Sequence, residues 1–247
     1  MQFPTLTVPE ALANLGQTAP ASRGFTFVGE DGTSERYFSF SDLSVEVARR
    51  ARSLQRLGLK AGDHVVIAVP DSEGFVVTFL GAMHAGLVPV PIYPPLSLGK
   101  LGSYLEHSRH IIERSKAQVA ITTAQIRRVL GSLLGNPLRQ IAIVEELSQE
   151  SEAAALVRRN LSDAGFIQFT SGSTSRPKGV VLTHGNLATN AHCIMNLGLK
   201  VTPEDRGCTW LPFYHDMGLI GFVLSPLYTS TPVAFISPLL FLKRPAE

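Results

Sequence analysis

The chain has 247 residues, 45% hydrophobic and 17% charged, with a formal net charge of +2. That length suits one large α/β domain or two small ones, and so small a charge excludes an electrostatic case for nucleic acid or an anionic membrane. No apolar run approaches the roughly 20 residues that span a bilayer, no signal-peptide pattern is present, and Cys193 and Cys208 make no disulfide framework. A reducing, cytoplasmic setting with two buried thiols is the expectation. The seven histidines are scattered, without metal-ligand spacing.

In chain order, residues 10–15 read as a short helix in a proline-containing lead-in. Residues 25–28 and 36–40 read as strands joined at Asp31-Gly32, a hairpin signal. Ser41 is the predicted cap of the next helix. Its Leu43, Val47, Ala51, Leu54 and Leu57 recur at helical spacing, and Gly58 is its stop. Arg49, Arg50, Arg52 and Arg56 fall mostly off that stripe and are expected to be solvated. Then strands and helices alternate. Strands are predicted at 64–69, 88–92, 118–122 and 141–144, and helices at 75–84, 101–115 and 124–134. Such alternation predicts an α/β fold, a doubly wound parallel sheet with helices on both faces. Ligands of such sheets bind beyond the carboxyl ends of the strands.

Residues 145–162 break the pattern with a polar, glutamate-rich segment and a short helix predicted at 152–158. The predicted boundary falls here, between a first α/β subdomain, 1–160, and the start of a second, 161–247. Beyond it Asn186 is the predicted cap of a helix ending near Gly198. A strand at 207–211 leads into Trp210-Leu-Pro-Phe-Tyr-His-Asp-Met-Gly-Leu-Ile-Gly221. The small residues Gly218 and Gly221 are expected to permit close packing of a helix at 218–227. A strand at 233–236 and a last helix from 239 complete the pattern.

The stretch between these halves carries the chemistry. Phe166, Ile167 and Phe169 read as a buried strand. Thr170, Ser171, Ser173, Thr174 and Ser175 then offer five hydroxyls within six positions. Gly172 lets backbone approach a ligand closely, and successive amides in a tight loop make an anion nest. Arg176 and Lys178 add positive charge, and Pro177 stiffens the turn. A polyphosphate fits these groups. The loop is not a Walker A motif, because Lys178 precedes Gly179 and no Ser or Thr follows the lysine. On composition alone, a solvated Ser/Thr turn competes with this reading.

The order of residues from Thr170 to Val180 resembles the phosphate-loop signature of the adenylate-forming superfamily. The block from Trp210 to Gly221 resembles the His-Asp-Met-Gly segment of fatty acyl-AMP ligases, and Pro89-Val-Pro-Ile-Tyr-Pro-Pro95 resembles the same branch. The resemblance implies the layered parallel-sheet N-terminal domain of those enzymes. It implies that Thr170, Ser171, Gly172, Ser173, Thr174 and Lys178 hold the β- and γ-phosphates of ATP, with Mg²⁺ required. It puts His215 near the fatty carboxylate and the α-phosphate, as a catalytic donor beside Lys178 or as a gate. Asp216 would hold that loop or a basic neighbour. Met217, Leu219, Ile220 and Phe222 would be core or would line an acyl channel. Tyr93 would be a pocket wall, and His184 structural.

The implied reaction joins a fatty acid to ATP, giving acyl-adenylate and pyrophosphate. Its acyl group would pass to an acyl-carrier protein, or alternatively to coenzyme A. A non-catalytic nucleotide- or acyl-binding remnant is a further alternative, and a pure interaction domain another. The superfamily's Tyr-Gly-x-Thr-Glu type segment, its ribose-binding aspartate and its mobile C-terminal domain do not appear in this sequence. An N-terminal portion that is inactive alone is therefore the expectation.

Overall fold

The computed structural model describes residues 5–95, 101–170 and 177–243. Helix α1 (Val8–Thr18) opens with a capping box. The Thr7 hydroxyl accepts from the Glu10 amide, and the Glu10 carboxylate accepts from the Thr7 amide at 2.8 Å. Strands β1 (Gly24–Val28) and β2 (Glu35–Ser39) form the expected hairpin. In its turn Asp31 accepts from the amides of Thr33 and Ser34, and Gly32 takes φ 74°. Helix α2 (Phe40–Arg56) is capped by Ser39 rather than Ser41. The helix starts sooner because the Ser39 hydroxyl reaches the Asp42 amide, three residues on.

Strand β3 (His64–Ala68), helix α3 (Ser72–His84), β4 (Val88–Pro91), α4 (Leu101–Ser115), β5 (Val119–Thr122), α5 (Ala124–Leu130), β6 (Gln140–Ile143) and the short α6 (Val144–Leu147) follow. Their four strands make a parallel sheet in the order β4-β3-β5-β6. Successive β3 residues serve different cores. Val65 and Ile67 pack into the larger cluster with α2 and α3, whereas Val66 and Ala68 join α4 and α5 on the other face. Covering both faces is why the strand reads as an unbroken apolar run.

A second sheet has the order β2-β1-β10-β9, with β9 at Gly207–Thr209 and β10 at Val233–Phe235. Strand β1 pairs parallel with β10, so this sheet joins segments from both sides of residue 160. Phe25, Phe27 and Phe235 meet edge-on or stacked within 5.1 Å at its centre, and α2 and α3 lie in the same core. Strands β7 (Ala164–Thr170) and β8 (Lys178–Thr183) form a separate antiparallel pair. Helix α7 (His184–His192) continues as a wide π-helical turn over Cys193–Gly198, and α8 (Pro238–Lys243) closes the described chain. No helix among the described residues is long and apolar enough to cross a membrane.

Several expectations are corrected. Residues 152–158 form no helix. They lie extended, with the Ala154 amide bonded to the Ala48 carbonyl and Val157 to His84. Glu150 and Glu152 pair with Arg56, at 2.6 and 3.2 Å, across the end of α2. Arg50 is not solvated but 3% exposed. Its guanidinium bonds the Thr78 hydroxyl and, at 2.6 Å, the Ser148 hydroxyl, which replaces the water an exposed arginine would use. Thr183, not Asn186, caps α7, and Asn186 supplies the reciprocal bond of the capping box. Both cysteines are exposed. They sit on a helix end and a short edge strand, where nothing covers them.

Candidate active-site cleft

The β7–β8 hairpin sets the geometry of the hydroxyl-rich loop. Phe166 and Ile167 anchor β7 in the two cores, and the ladder ends with Thr170 opposite Lys178. These two residues therefore flank the loop's base, and both are exposed. Ser171, Gly172, Ser173 and Thr174 lie outside the described residues. Gly179 packs against the Phe169 ring, which would have to shift to admit a side chain, since a Cβ there would come 2.9 Å from it. The trailing stem is tethered from a third element. His110 of α4 lies with Nε2 3.0 Å from the carbonyl oxygen of buried Pro177. An imidazole N–H donates to that carbonyl whether the ring is neutral or protonated.

The turn after β9 carries His215. Phe213 is buried and stacks on Phe75 at 5.6 Å and edge-on to Phe235 at 5.4 Å. Two residues beyond this anchor, His215 and Asp216 are exposed. The His215 Nδ1 is 2.6 Å from an Asp216 carboxylate oxygen, which also accepts from the Met217 amide at 2.8 Å. Because that oxygen only accepts, the proton resides on Nδ1 and Nε2 is turned outward. Asp216 thus holds the loop and its histidine, as expected.

These parts meet in one cleft of about 420 Å³, lined by Tyr93, His107, Gln168, Thr170, Tyr214, His215 and Asp216 among others. It lies beyond the carboxyl end of β4, beside β7, the position expected of an open α/β sheet. Thr170 and His215 are brought together here. Lys178 stands opposite Thr170 at the loop base and does not line the cleft. Tyr93 is a wall, with its ring 5.4 Å from those of Tyr104 and His107 and 6.2 Å from Tyr214. Burial raises the pKa of Tyr93 and Tyr214, so both phenols stay protonated. Burial, aided by His110, lowers that of His107 and keeps it neutral.

Gln168 is the residue the sequence reading passed over. Its side-chain amide donates to the Tyr214 carbonyl at 3.0 Å. This linkage orients the group and leaves Oε1, a buried acceptor, with no partner among the described residues. An orphaned acceptor in a cleft fits a ligand that brings N–H or O–H donors, such as a nucleotide. The available signal was a lone polar residue inside an otherwise apolar strand. His184, expected to be structural, is 2% exposed and sits away from the cleft lining.

A second, mostly apolar cavity of about 740 Å³ adjoins the first through Asp216, which lines both. Met217, Ile220 and Phe222 line it with Met195 and Leu199, whereas Leu219 is wholly buried in the core. The four apolar residues after Asp216 therefore divide into three that face the cavity and one that does not.

A family model described as AMP-binding enzyme matches residues 16–246. A putative acyl-CoA synthetase of Caulobacter vibrioides is 33% identical over 243 residues, covering 98% of this chain and 42% of its own length. The long-chain-fatty-acid–AMP ligase FadD23 of Mycobacterium tuberculosis is 31% identical over 259 residues, covering 98% and 43%. A crystal structure of the fatty acyl-adenylate ligase from L. pneumophila, in complex with acyl adenylate and pyrophosphate, superposes with a TM-score of 0.82. It is 28% identical and covers 97% of this chain and 41% of that one. The chain thus spans about two fifths of the length of these relatives.

Proposed function

Since the chain belongs to the AMP-binding enzyme family, we propose that it is the N-terminal part of a fatty acyl-AMP ligase, which activates a fatty acid with ATP and releases pyrophosphate. The observation that carries this reading is the shared cleft: Thr170 at the phosphate-loop base faces the same space as His215, beside an apolar cavity. The superfamily resemblance assigns the loop from Thr170 to Thr174 and Lys178 to the β- and γ-phosphates. Described residues support it at the base, where Thr170 and Lys178 stand opposite each other. ATP supplies the activated phosphorus and the leaving group.

The fatty carboxylate enters beside His215, with its chain in the 740 Å³ cavity. A carboxylate oxygen attacks the α-phosphorus in line as the bond to pyrophosphate breaks. His215, held through Nδ1 by Asp216, stands by the charge gathering on the α-phosphate and, as the imidazolium, would donate to it from Nε2. Lys178 steadies the departing pyrophosphate. Mg²⁺, which the resemblance implies, would neutralise charge on the polyphosphate, and no residue of this chain is assigned to it.

The acyl group then passes to an acyl-carrier protein, the acceptor that the resemblance to fatty acyl-AMP ligases implies; the AMP ligase relative supports the acyl-adenylate step itself. The Caulobacter relative supports a second reading, in which coenzyme A is the acceptor. The two free, exposed cysteines suit a reducing, cytoplasmic setting. Activity requires the segments beyond this chain's match. The test is calorimetry of the 247-residue chain with dodecanoyl-sulfamoyl adenosine, a non-hydrolysable acyl-adenylate mimic. Saturable one-to-one binding, weakened about tenfold or more by His215→Ala, is expected. No binding by the unaltered chain discards the reading. Product analysis on a complete ligase carrying this segment separates acyl-carrier from coenzyme A transfer.

A further inference from the structure

Two glycines in the helical turn after Asp216 have opposite surroundings. A Cβ on Gly218 would lie 2.4 Å from the Pro212 carbonyl oxygen, so packing imposes that glycine. A Cβ on Gly221 would meet nothing within 4 Å, and its φ is not in the left-handed region. Neither crowding nor backbone conformation calls for glycine there, and glycine within a helix is less stable than alanine. The open space before it is the 740 Å³ cavity, which Gly221 lines.

Asp216, next to His215, lines that cavity, and so do Asp205 and Arg206, just ahead of β9, and Gly207 at its start. Residues Met217–Leu224 wind as a π-helix, which carries Gly221 about one turn on from Asp216. One pitch, on the order of 5 Å, separates them.

We propose that Gly221 is the specificity-determining position of this cavity: its missing side chain keeps the lumen open to long, unbranched acyl chains. A side chain at 221 projects into the lumen one turn below the reacting carboxylate and admits only the first few carbons. This rests on reading the cavity as the acyl receptor.

The experiment measures affinity of the 247-residue chain for butyryl-, octanoyl- and dodecanoyl-sulfamoyl adenosine, in the unaltered protein, Gly221→Ala and Gly221→Leu. In the unaltered protein affinity should rise with acyl length, by about fourfold for each methylene buried, the equivalent of ~0.8 kcal/mol. Gly221→Leu should leave the butyryl compound within about twofold and lose the dodecanoyl preference by about a hundredfold. Gly221→Ala, which meets no neighbour and keeps the fold, should lose several-fold for dodecanoyl. If the unaltered chain binds none of the three, the acyl-receptor reading falls and takes this proposal with it. If it binds with a length preference that both variants retain, the proposal alone is overturned.

Discussion

The side-chain amide of Gln168 donates to the Tyr214 carbonyl oxygen at 3.0 Å, and so ties the strand that enters the phosphate loop to the turn that presents His215. Forty-six residues separate the pair in sequence. The bond makes one rigid frame of two motifs that would otherwise be set by separate strands.

Replacing Gln168 tests that frame. Gln168→Leu keeps the bulk but leaves the Tyr214 carbonyl without this donor, at a cost of about 1–2 kcal/mol. Gln168→Glu should cost more, because it sets a carboxylate against a carbonyl oxygen. Both should weaken binding of the acyl-adenylate mimic about tenfold. Urea denaturation and calorimetry read the two effects. A glutamate variant as stable as the leucine variant would refute this orientation of the Gln168 amide.

Arg50 is a second buried polar link, between α2, Thr78 of α3 and Ser148. Burial lowers its pKa, with Glu46, Glu73 and Asp71 acting to raise it, and a guanidinium remains charged in either case. Arg50→Ala strands two hydroxyls and opens a cavity, for an expected loss of about 3 kcal/mol. Arg50→Lys, a point charge on a flexible stem, cannot reach both hydroxyls and should lose ~1–2 kcal/mol. Gly81→Ala should lose a similar amount, because its Cβ would lie 2.9 Å from the Arg50 side chain. Equal stability of Arg50→Met and the parent in urea would show the two bonds to contribute nothing.

The sequence made some of this legible and not the rest, for physical reasons. The hairpin at Asp31-Gly32, the parallel α/β alternation and the strand that runs into the hydroxyl-rich loop at Thr170 are local patterns, and residue order carries them. The pairing of β1 with β10 joins Phe25 to Val233, and no local signal marks it, so a subdomain division drawn at residue 160 could not anticipate that sheet. Arg50 read as solvated because it groups with Arg49, Arg52 and Arg56, which fall mostly off the apolar stripe of α2. Only the approach of Thr78 and Ser148 from distant segments buries it. Gln168 was hidden by its apolar flanks, and Gly221 looked like Gly218 until the cavity showed what each faces.

His184 makes stability depend on pH. It is 2% exposed, its Nδ1 has no partner among the described residues, and its pKa falls to about 4, first through burial and then through Arg159. The folded chain therefore refuses a proton that the unfolded chain accepts near pH 6.5. The His184 contribution is fully present above about pH 6.5, is lost as pH falls from there towards 4, and is constant below that. The loss by about pH 5 is on the order of 2 kcal/mol. His84 and His107 act in the same sense, also through burial. Asp71 and Glu73, raised by burial, act in the opposite sense. The test is the urea midpoint of the parent and of His184→Gln, at about pH 8 and about pH 5. The parent should lose more than the variant on acidification. Parallel losses would show that His184 is protonated in the fold.

The contrast between Gly218 and Gly221 gives the last prediction, which needs no ligand. Gly218→Ala drives a methyl group to 2.4 Å from the Pro212 carbonyl oxygen, and backbone atoms cannot step aside as a flexible side chain can. Pro212 begins the turn that carries His215, whose amide donates to that same carbonyl at 3.2 Å. The variant must therefore either displace the helix or open the turn, at an expected cost of about 1–3 kcal/mol. Gly221→Ala meets no atom and should gain up to ~1 kcal/mol from helix propensity. Thermal denaturation should order the three proteins as Gly221→Ala above the parent and Gly218→Ala below it. A Gly218→Ala variant that melts with the parent would mean that the turn at His215 is not held against the helix, and the cleft would lose the rigidity on which its chemistry depends.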